Sequence, residues 1–155
     1  ADYHVLINGK ICAGTLKDGF LYLHRCWRDG DEVELTLSMP VRVVRANSLV
    51  RENIGKSAIC RGPIVYCMEQ TDNGPQLHRN RICGKPSFTI SSGEKNLKGL
   101  PCISCSGEYL LPDGTQLYTS AKESFQPKTL RFIPYFAWCN RSPGEMAVWV
   151  RHDTI

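Results

Sequence analysis

The chain has 155 residues, 42% of them hydrophobic and 22% charged, with a net charge of +4; these are values of a folded domain, and they exclude wholesale disorder. No apolar stretch approaches the ~20 residues of a membrane-spanning helix, and no basic-then-apolar leader opens the sequence. Arg42, Arg45, Arg51, Lys56 and Arg61 fall close together, but acidic and apolar residues are interleaved and no nucleic-acid motif accompanies them. That cluster reads as a solvated or interdomain face, and neither nucleic acid nor membrane is expected as a partner.

Taken in chain order, Tyr3-His4-Val5-Leu6-Ile7 already has the look of mid-strand sequence, and the first residue is Ala1. The expectation is a piece of a longer protein. Asn8-Gly9 and Asp18-Gly19 are hairpin turns, and Phe20 to Trp27 is a strand candidate apolar on both faces. In Glu32 to Met39 the side chains of Val33, Leu35, Leu37 and Met39 fall on one face and polar ones on the other, predicting a half-buried antiparallel strand. Pro40 removes a ladder donor, so a boundary is placed near 40–44. Residues 1–41 then form the tail end of a first sandwich, and 42–155 a second, nearly complete one.

Within the second part, Asn47 to Ile54 is the best helix candidate, of one or two turns before Gly55. Ile59-Cys60 and Tyr66-Cys67-Met68 are apolar, strand-like contexts, the latter within the block Arg61-Gly62-Pro63-Ile64-Val65-Tyr66-Cys67-Met68-Glu69. Residues 84–107 are rich in Ser, Gly and Lys and read as a long surface connection around a strand at Phe88 to Ile90. Thr129 to Val150 reads as two short strands enclosing a turn rich in aromatic and polar groups. Further turns at Asp29-Gly30, Asn73-Gly74, Pro112-Asp113-Gly114 and Ser142-Pro143-Gly144 separate short strands. The fold class is all-β: an antiparallel, jelly-roll-like β-sandwich preceded by a partial β segment.

Chemistry is thinly represented. The eight cysteines (Cys12, Cys26, Cys60, Cys67, Cys83, Cys102, Cys105 and Cys139) show no framework spacing, and several stand in apolar strand contexts, as buried thiols do. A reduced, cytoplasmic protein is expected. Cys102-Ile103-Ser104-Cys105 is the single Cys-x-x-Cys, weak as a zinc signal by itself, with Cys83, His78 and Cys139 as conceivable co-ligands. His4, His24, His78 and His152 lie in no catalytic motif and are expected on the surface or internally satisfied. Glu69, Asp72, Glu108, Asp113, Glu123 and Glu145 could serve the paired-carboxyl chemistry of glycoside hydrolysis, but most stand beside turns or on polar faces, where a carboxylate is merely solvated.

The blocks Arg61 to Glu69 and Thr129 to Val150, in this order, resemble the C-terminal part of the bacterial β-L-arabinofuranosidases of glycoside hydrolase family 127. Val5-Leu6-Ile7-Asn8-Gly9-Lys10, Asp18 to Leu23, Trp27-Arg28-Asp29-Gly30-Asp31, Met39-Pro40-Val41-Arg42 and Arg45-Ala46-Asn47 extend the resemblance; residues 83–107 have no matching motif. It implies two β-sandwich domains placed after an (α/α) helical barrel, and a homodimer. It also implies a zinc-bound cysteine nucleophile and a glutamate acid/base, all in the barrel, with two adjacent cysteines among the zinc ligands. This chain has no adjacent pair of cysteines, so no catalytic or metal residue carries over, and no cofactor is expected in it.

Tyr135, Trp138, Asn140 and Arg141 remain as site candidates. Two amphipathic aromatics followed by an amide and a guanidinium can hold a sugar, form a buried turn, or pack against the barrel. The leading expectation is a non-catalytic accessory region that supports the barrel and dimerisation. The alternatives are an autonomous carbohydrate-binding module, marked by exposed coplanar aromatics among residues such as Tyr22, Trp27, Tyr118 or Trp149, and a small zinc-stabilised interaction domain.

Overall fold

The computed structural model describes residues 3–153, which divide into two compact units, one up to Pro40 and one from Val41 onward. In the first unit, strands β1 (Tyr3–Ile7) and β2 (Lys10–Ile11) form a hairpin through Asn8-Gly9, and β3 (Thr15–Lys17) and β4 (Phe20–Tyr22) form another through Asp18-Gly19. All four turn residues have positive φ, which Asn, Asp and Gly tolerate; that is the reason these dipeptides announce hairpins. Strand β5 (Val33–Leu37) pairs with the other edge of β1, with Val5 opposite Leu35 and Ile7 opposite Val33. The Asn8 side chain ties this corner together, donating to Asp31 at 2.7 Å and accepting from the Glu32 amide at 2.9 Å.

Two expectations change here. The strand begun at Phe20 ends at Tyr22, and Trp27 lies in an irregular stretch under the Arg25 guanidinium. The β5 strand is present, but it is not half-buried. Val33, Leu35 and Leu37 are 46%, 53% and 59% exposed, although Val5 and Ile7, opposite Leu35 and Val33 on β1, are buried: the cover over this face stops short of β5.

The second unit begins with β6 (Val41–Val44), β7 (Lys56–Arg61) and β8 (Ile64–Glu69), with Gly62 in the left-handed region at the β7–β8 turn. Between β6 and β7 the expected helix is one 3-10 turn, Arg51–Asn53, preceded by Asn47 accepting from the Leu49 amide. A four-residue helix, α1 (Gln70–Asn73), follows β8 and stops at Gly74. Then come β9 (Asn80–Cys83), β10 (Phe88–Ser92), β11 (Pro101–Leu110), β12 (Phe125–Pro134), β13 (Met146–Ala147) and β14 (Val150–Asp153).

Pairing runs from β8 to β12, β11, β9, β14 and β7 and returns to β8, a closed circuit of six strands. Strands β6, β10 and β13 add to its margins. One pairing, β9 with β14, is parallel. The all-β expectation therefore holds, with the strands of this unit closed on one another. His152 on β14 reinforces the closure: its ring meets the Ser57 hydroxyl on β7 and the Gly84 carbonyl, each at 2.8 Å. Since a carbonyl only accepts, Nε2 carries the proton and Ser57 donates to Nδ1. This histidine is internally satisfied, as expected, while His4, His24 and His78 are exposed.

The core has two parts, sorted by strand alternation. Ile59, Tyr66, Met68, Ile82, Ile103, Cys105, Leu130, Phe132 and Val150 form one cluster with Leu77. Cys67, Cys102 and Ile133, pointing the other way from β8, β11 and β12, form the second with Leu97 and Ala137. Both faces of these three strands thus contribute to the core, and Tyr66, Cys67 and Met68 are buried in succession, while Val65 is left 40% exposed. The 84–107 stretch is the largest departure from the sequence reading. Instead of remaining a surface connection, it runs at residue 101 into β11, a ten-residue strand with Cys102, Ile103 and Cys105 buried.

Candidate functional site

The turn after β12 places the sequence candidates. Pro134 ends the strand, and a 3-10 turn, Tyr135–Ala137, drops Ala137 into the second cluster. Tyr135, Phe136 and Trp138 are left outward, 45%, 64% and 41% exposed, and the Tyr135 and Trp138 rings stack at 6.2 Å between centroids and 21° between planes. Together they form an exposed aromatic shelf. Trp27, Tyr22 and Tyr118 are exposed as well, while Trp149 is half-buried.

Arg141 behaves differently from its neighbours. Its guanidinium bonds Asp72 at 2.8 and 2.6 Å and Glu69 from Nε at 3.1 Å, with a further short contact from Nη2 to Glu69. The side chains of Glu69, Asp72 and Arg141 are 4%, 9% and 15% exposed. Glu69 also accepts from the Cys139 amide at 2.9 Å, which fixes Cys139 at a φ of +64°. Hydrogen bonds to Asp72 raise the Arg141 pKa above its ordinary value, against the burial that would lower it, and those to Glu69 add to the effect. Of the four candidates, then, Tyr135 and Trp138 are accessible and Arg141 is engaged at the root of the turn. Asn140 is exposed, and its carbonyl accepts from Asn96 at 2.8 Å.

The carboxylates expected to be merely solvated are mostly committed. Glu69 is buried, and Glu108 accepts from Arg81 at 2.7 and 2.9 Å. Glu145 takes the amides of Leu77 and Gln76 at 2.7 and 3.1 Å, and these bonds hold its pKa below the usual carboxylate value. Asp113 is exposed, and Glu123 makes an exposed 3.7 Å contact with Arg151. Glu69 and Asp72 were missed because a carboxylate at a strand end beside a turn looks solvated. The signal lies 70 residues away, in an arginine that the turn of β12 brings back over β8.

Beside this network lies a cleft of about 390 Å3, lined by Thr71, Asp72, Arg131 and Arg141 on one side and by residues 94–97 on the other, with Ser142 at its end. The 94–97 wall is a 3-10 turn plugged into the core by Leu97, which is 1% exposed, and it leaves Gly93 with no room for a side chain: a Cβ there would meet the Leu97 carbonyl at 2.4 Å. Arg131 is 32% exposed, its Nε has no hydrogen-bond partner, and it approaches Asp72 only to 4.0 Å.

Zinc does not fit the Cys-x-x-Cys. Three positions apart on β11, Cys105 faces the first cluster and Cys102 the second, so the two thiols cannot share an ion. Burial pushes the Cys67 and Cys105 thiols up to about 12 and about 11, which favours the protonated form, not the thiolate that binds metal. Among the described residues no group of three or more His, Cys, Asp and Glu is arranged to hold a metal ion.

Comparison with known proteins matches residues 41–151 to the glycoside hydrolase family 127 C-terminal domain, and residues 1–39 to the beta-L-arabinofuranosidase GH127 middle domain. A non-reducing end beta-L-arabinofuranosidase of Bifidobacterium longum subsp. longum is 38% identical over 96% of this chain and 24% of its own length. A GH127 beta-L-arabinofuranosidase from Geobacillus stearothermophilus T6 is 37% identical with a TM-score of 0.89, covering 99% of this chain and 25% of that one. A second solved structure, a GH127 beta-arabinofuranosidase, is 34% identical with a TM-score of 0.86 over 98% and 23% of the two chains. The chain spans about a quarter of the length of these relatives.

Proposed function

This chain belongs to glycoside hydrolase family 127, and from that premise we propose that it is the non-catalytic accessory β region of a β-L-arabinofuranosidase-like enzyme. On this reading the closed strand circuit of the second unit is a flattened, jelly-roll-like sandwich. Residues 1–41 are the last strands of a preceding sandwich whose earlier strands lie elsewhere in the polypeptide. The region supports the helical-barrel catalytic part of the same polypeptide and contributes to a homodimer. Zinc and the reacting groups belong to the barrel.

One observation carries the reading: apolar surface is left open on structured elements, with Val33, Leu35 and Leu37 on β5 and Tyr135, Phe136 and Trp138 on the turn after β12. Contiguous apolar surface on an ordered element marks a place where something docks. We assign the aromatic shelf to the barrel and the β5 face to the missing strands. The carboxylate pair Glu69 and Asp72 supports the non-catalytic role, because both side chains are tied to one guanidinium and neither is free to act as a general acid.

The test is an activity assay on this chain alone with an aryl β-L-arabinofuranoside. No turnover above buffer is expected. Hydrolysis that survives rigorous purification and changes on substitution of Glu69 or Asp72 would overturn the accessory role.

A further inference from the structure

The cleft between α1 and the 94–97 turn is not used by the accessory role, and its chemistry is specific. Three carboxylates (Glu69, Asp72, Glu94) and three cations (Lys95, Arg131, Arg141) stand in or directly behind its wall, so their charges balance. A site for phosphate or carboxylate would carry excess cation, and a site for an amine excess anion. A balanced wall selects neither. What it offers instead is both senses of hydrogen bonding within a small space. The part-exposed Arg131 side chain lines the cleft and can donate from its terminal nitrogens, its Nε being buried beside Asp72; the Thr71 and Ser142 hydroxyls do either, and the Asn96 carbonyl oxygen accepts while its amide donates to Asn140.

Such a wall suits a ligand whose own surface alternates donors and acceptors and carries no net charge. We infer that this cleft binds a neutral polyhydroxylated molecule, a single furanose or pyranose unit, with Arg131, Thr71, Asn96 and Ser142 as its contacts. The volume, about 390 Å3, lies at the low end of the ~300–1,000 Å3 range of small-ligand sites and accommodates one sugar ring, not a chain of them. The walls are set before any ligand arrives: Arg141 is clamped by two carboxylates, and the opposite turn is plugged by Leu97 and tethered by Asn96. Preorganisation of this kind removes the ordering cost that otherwise weakens small ligands. The inference is independent of what the aromatic shelf docks against.

The experiment is a titration of the isotopically labelled 155-residue chain, following backbone amide shifts, with L-arabinose, glycerol and inorganic phosphate as separate probes. L-arabinose should give saturable shifts confined to residues around 71–72, 94–97 and 141–142, with a Kd of about 1–10 mM, as befits a ligand of this size. Arg131→Gln and Thr71→Val should each weaken it about tenfold or more through loss of hydrogen bonds, while Arg45→Gln leaves it unchanged. Three results would overturn the inference: no saturation by the sugar, phosphate saturating where the sugar does not, or sugar shifts that centre on Tyr135 and Trp138 and survive both substitutions. Arg131→Lys provides a folded comparison, keeping the charge without the planar fork, and it too should weaken the sugar.

Discussion

Replacing Arg141 with methionine would put the best-defined polar network of the chain to the test. The substitution preserves the aliphatic stem and deletes every bond the guanidinium makes to Glu69 and Asp72. It leaves two carboxylates, 4% and 9% exposed, without their cation, Glu69 retaining only the Cys139 amide. Breaking a buried pair from one side costs about 3–5 kcal/mol, because the surviving charge keeps its desolvation penalty. A domain of this size has about 5–15 kcal/mol in total and loses about 1–3 kcal/mol per molar urea, so the urea midpoint should fall by at least about 1 M. Arg141→Lys should fall in between, since one ammonium cannot serve two carboxylates with planar geometry. The double variant Arg141→Met with Glu69→Gln should recover part of the loss, because the charge stranded at Glu69 is then gone. A single-variant loss below about 1 kcal/mol would show that water or a shifted Arg131 already compensates this pair, and would refute the reasoning.

Other expectations follow from the same structure. Glu145, held below its ordinary pKa by the Leu77 and Gln76 amides, stabilises the fold above the normal carboxylate range and loses that contribution as pH falls through its lowered value; Glu145→Gln should shrink the difference in melting temperature between pH 7 and pH 3. Alkylation at pH 8 should modify the exposed Cys26 and Cys139 first and reach Cys67 and Cys105 only on denaturation, read by mass spectrometry of timed samples. Labelling of Cys105 at the rate of Cys26 would contradict its placement inside the strand circuit. The chain on its own should self-associate through the open β5 face and edge, and sedimentation should show weaker association after Leu35→Ser and Leu37→Ser.

Much of the architecture was legible because turns and alternation are local. Asn8-Gly9 and Asp18-Gly19 declare their hairpins through the φ > 0 that few other residues accept. The 101–110 strand was not legible because it is written in small residues. Gly107 looks like a loop residue until its neighbours are known: a Cβ there would meet Leu130 at 2.4 Å and the Arg81 carbonyl at 2.5 Å. Serine, cysteine and glycine are what fits where β9 and β12 close on β11, and crowding of that sort leaves no mark in a hydropathy pattern. Of the site, the aromatic turn was visible as a cluster of residues adjacent in sequence. The Glu69–Arg141 pair spans 72 positions and the cleft joins four separate segments, so no spacing rule could have found either. The exposure of β5 follows from what covers a strand, which its own residues do not record.

The pairing of β14 with both β7 and β9 has a consequence for how the protein is made. Ser57 and His152, which meet at this seam, are 95 residues apart, and a ribosome adding about 5–20 residues per second needs about 5–20 s to span that interval. Throughout it, the stretches Lys56–Ser57 on β7 and Arg81–Cys83 on β9 have one edge turned toward a strand that does not yet exist. Open edges of that kind are templates for pairing with a neighbouring nascent chain. The order of synthesis therefore builds in a check on completeness: a product terminated before Val150 keeps two adhesive edges, while one that reaches Asp153 conceals both in a single closing event.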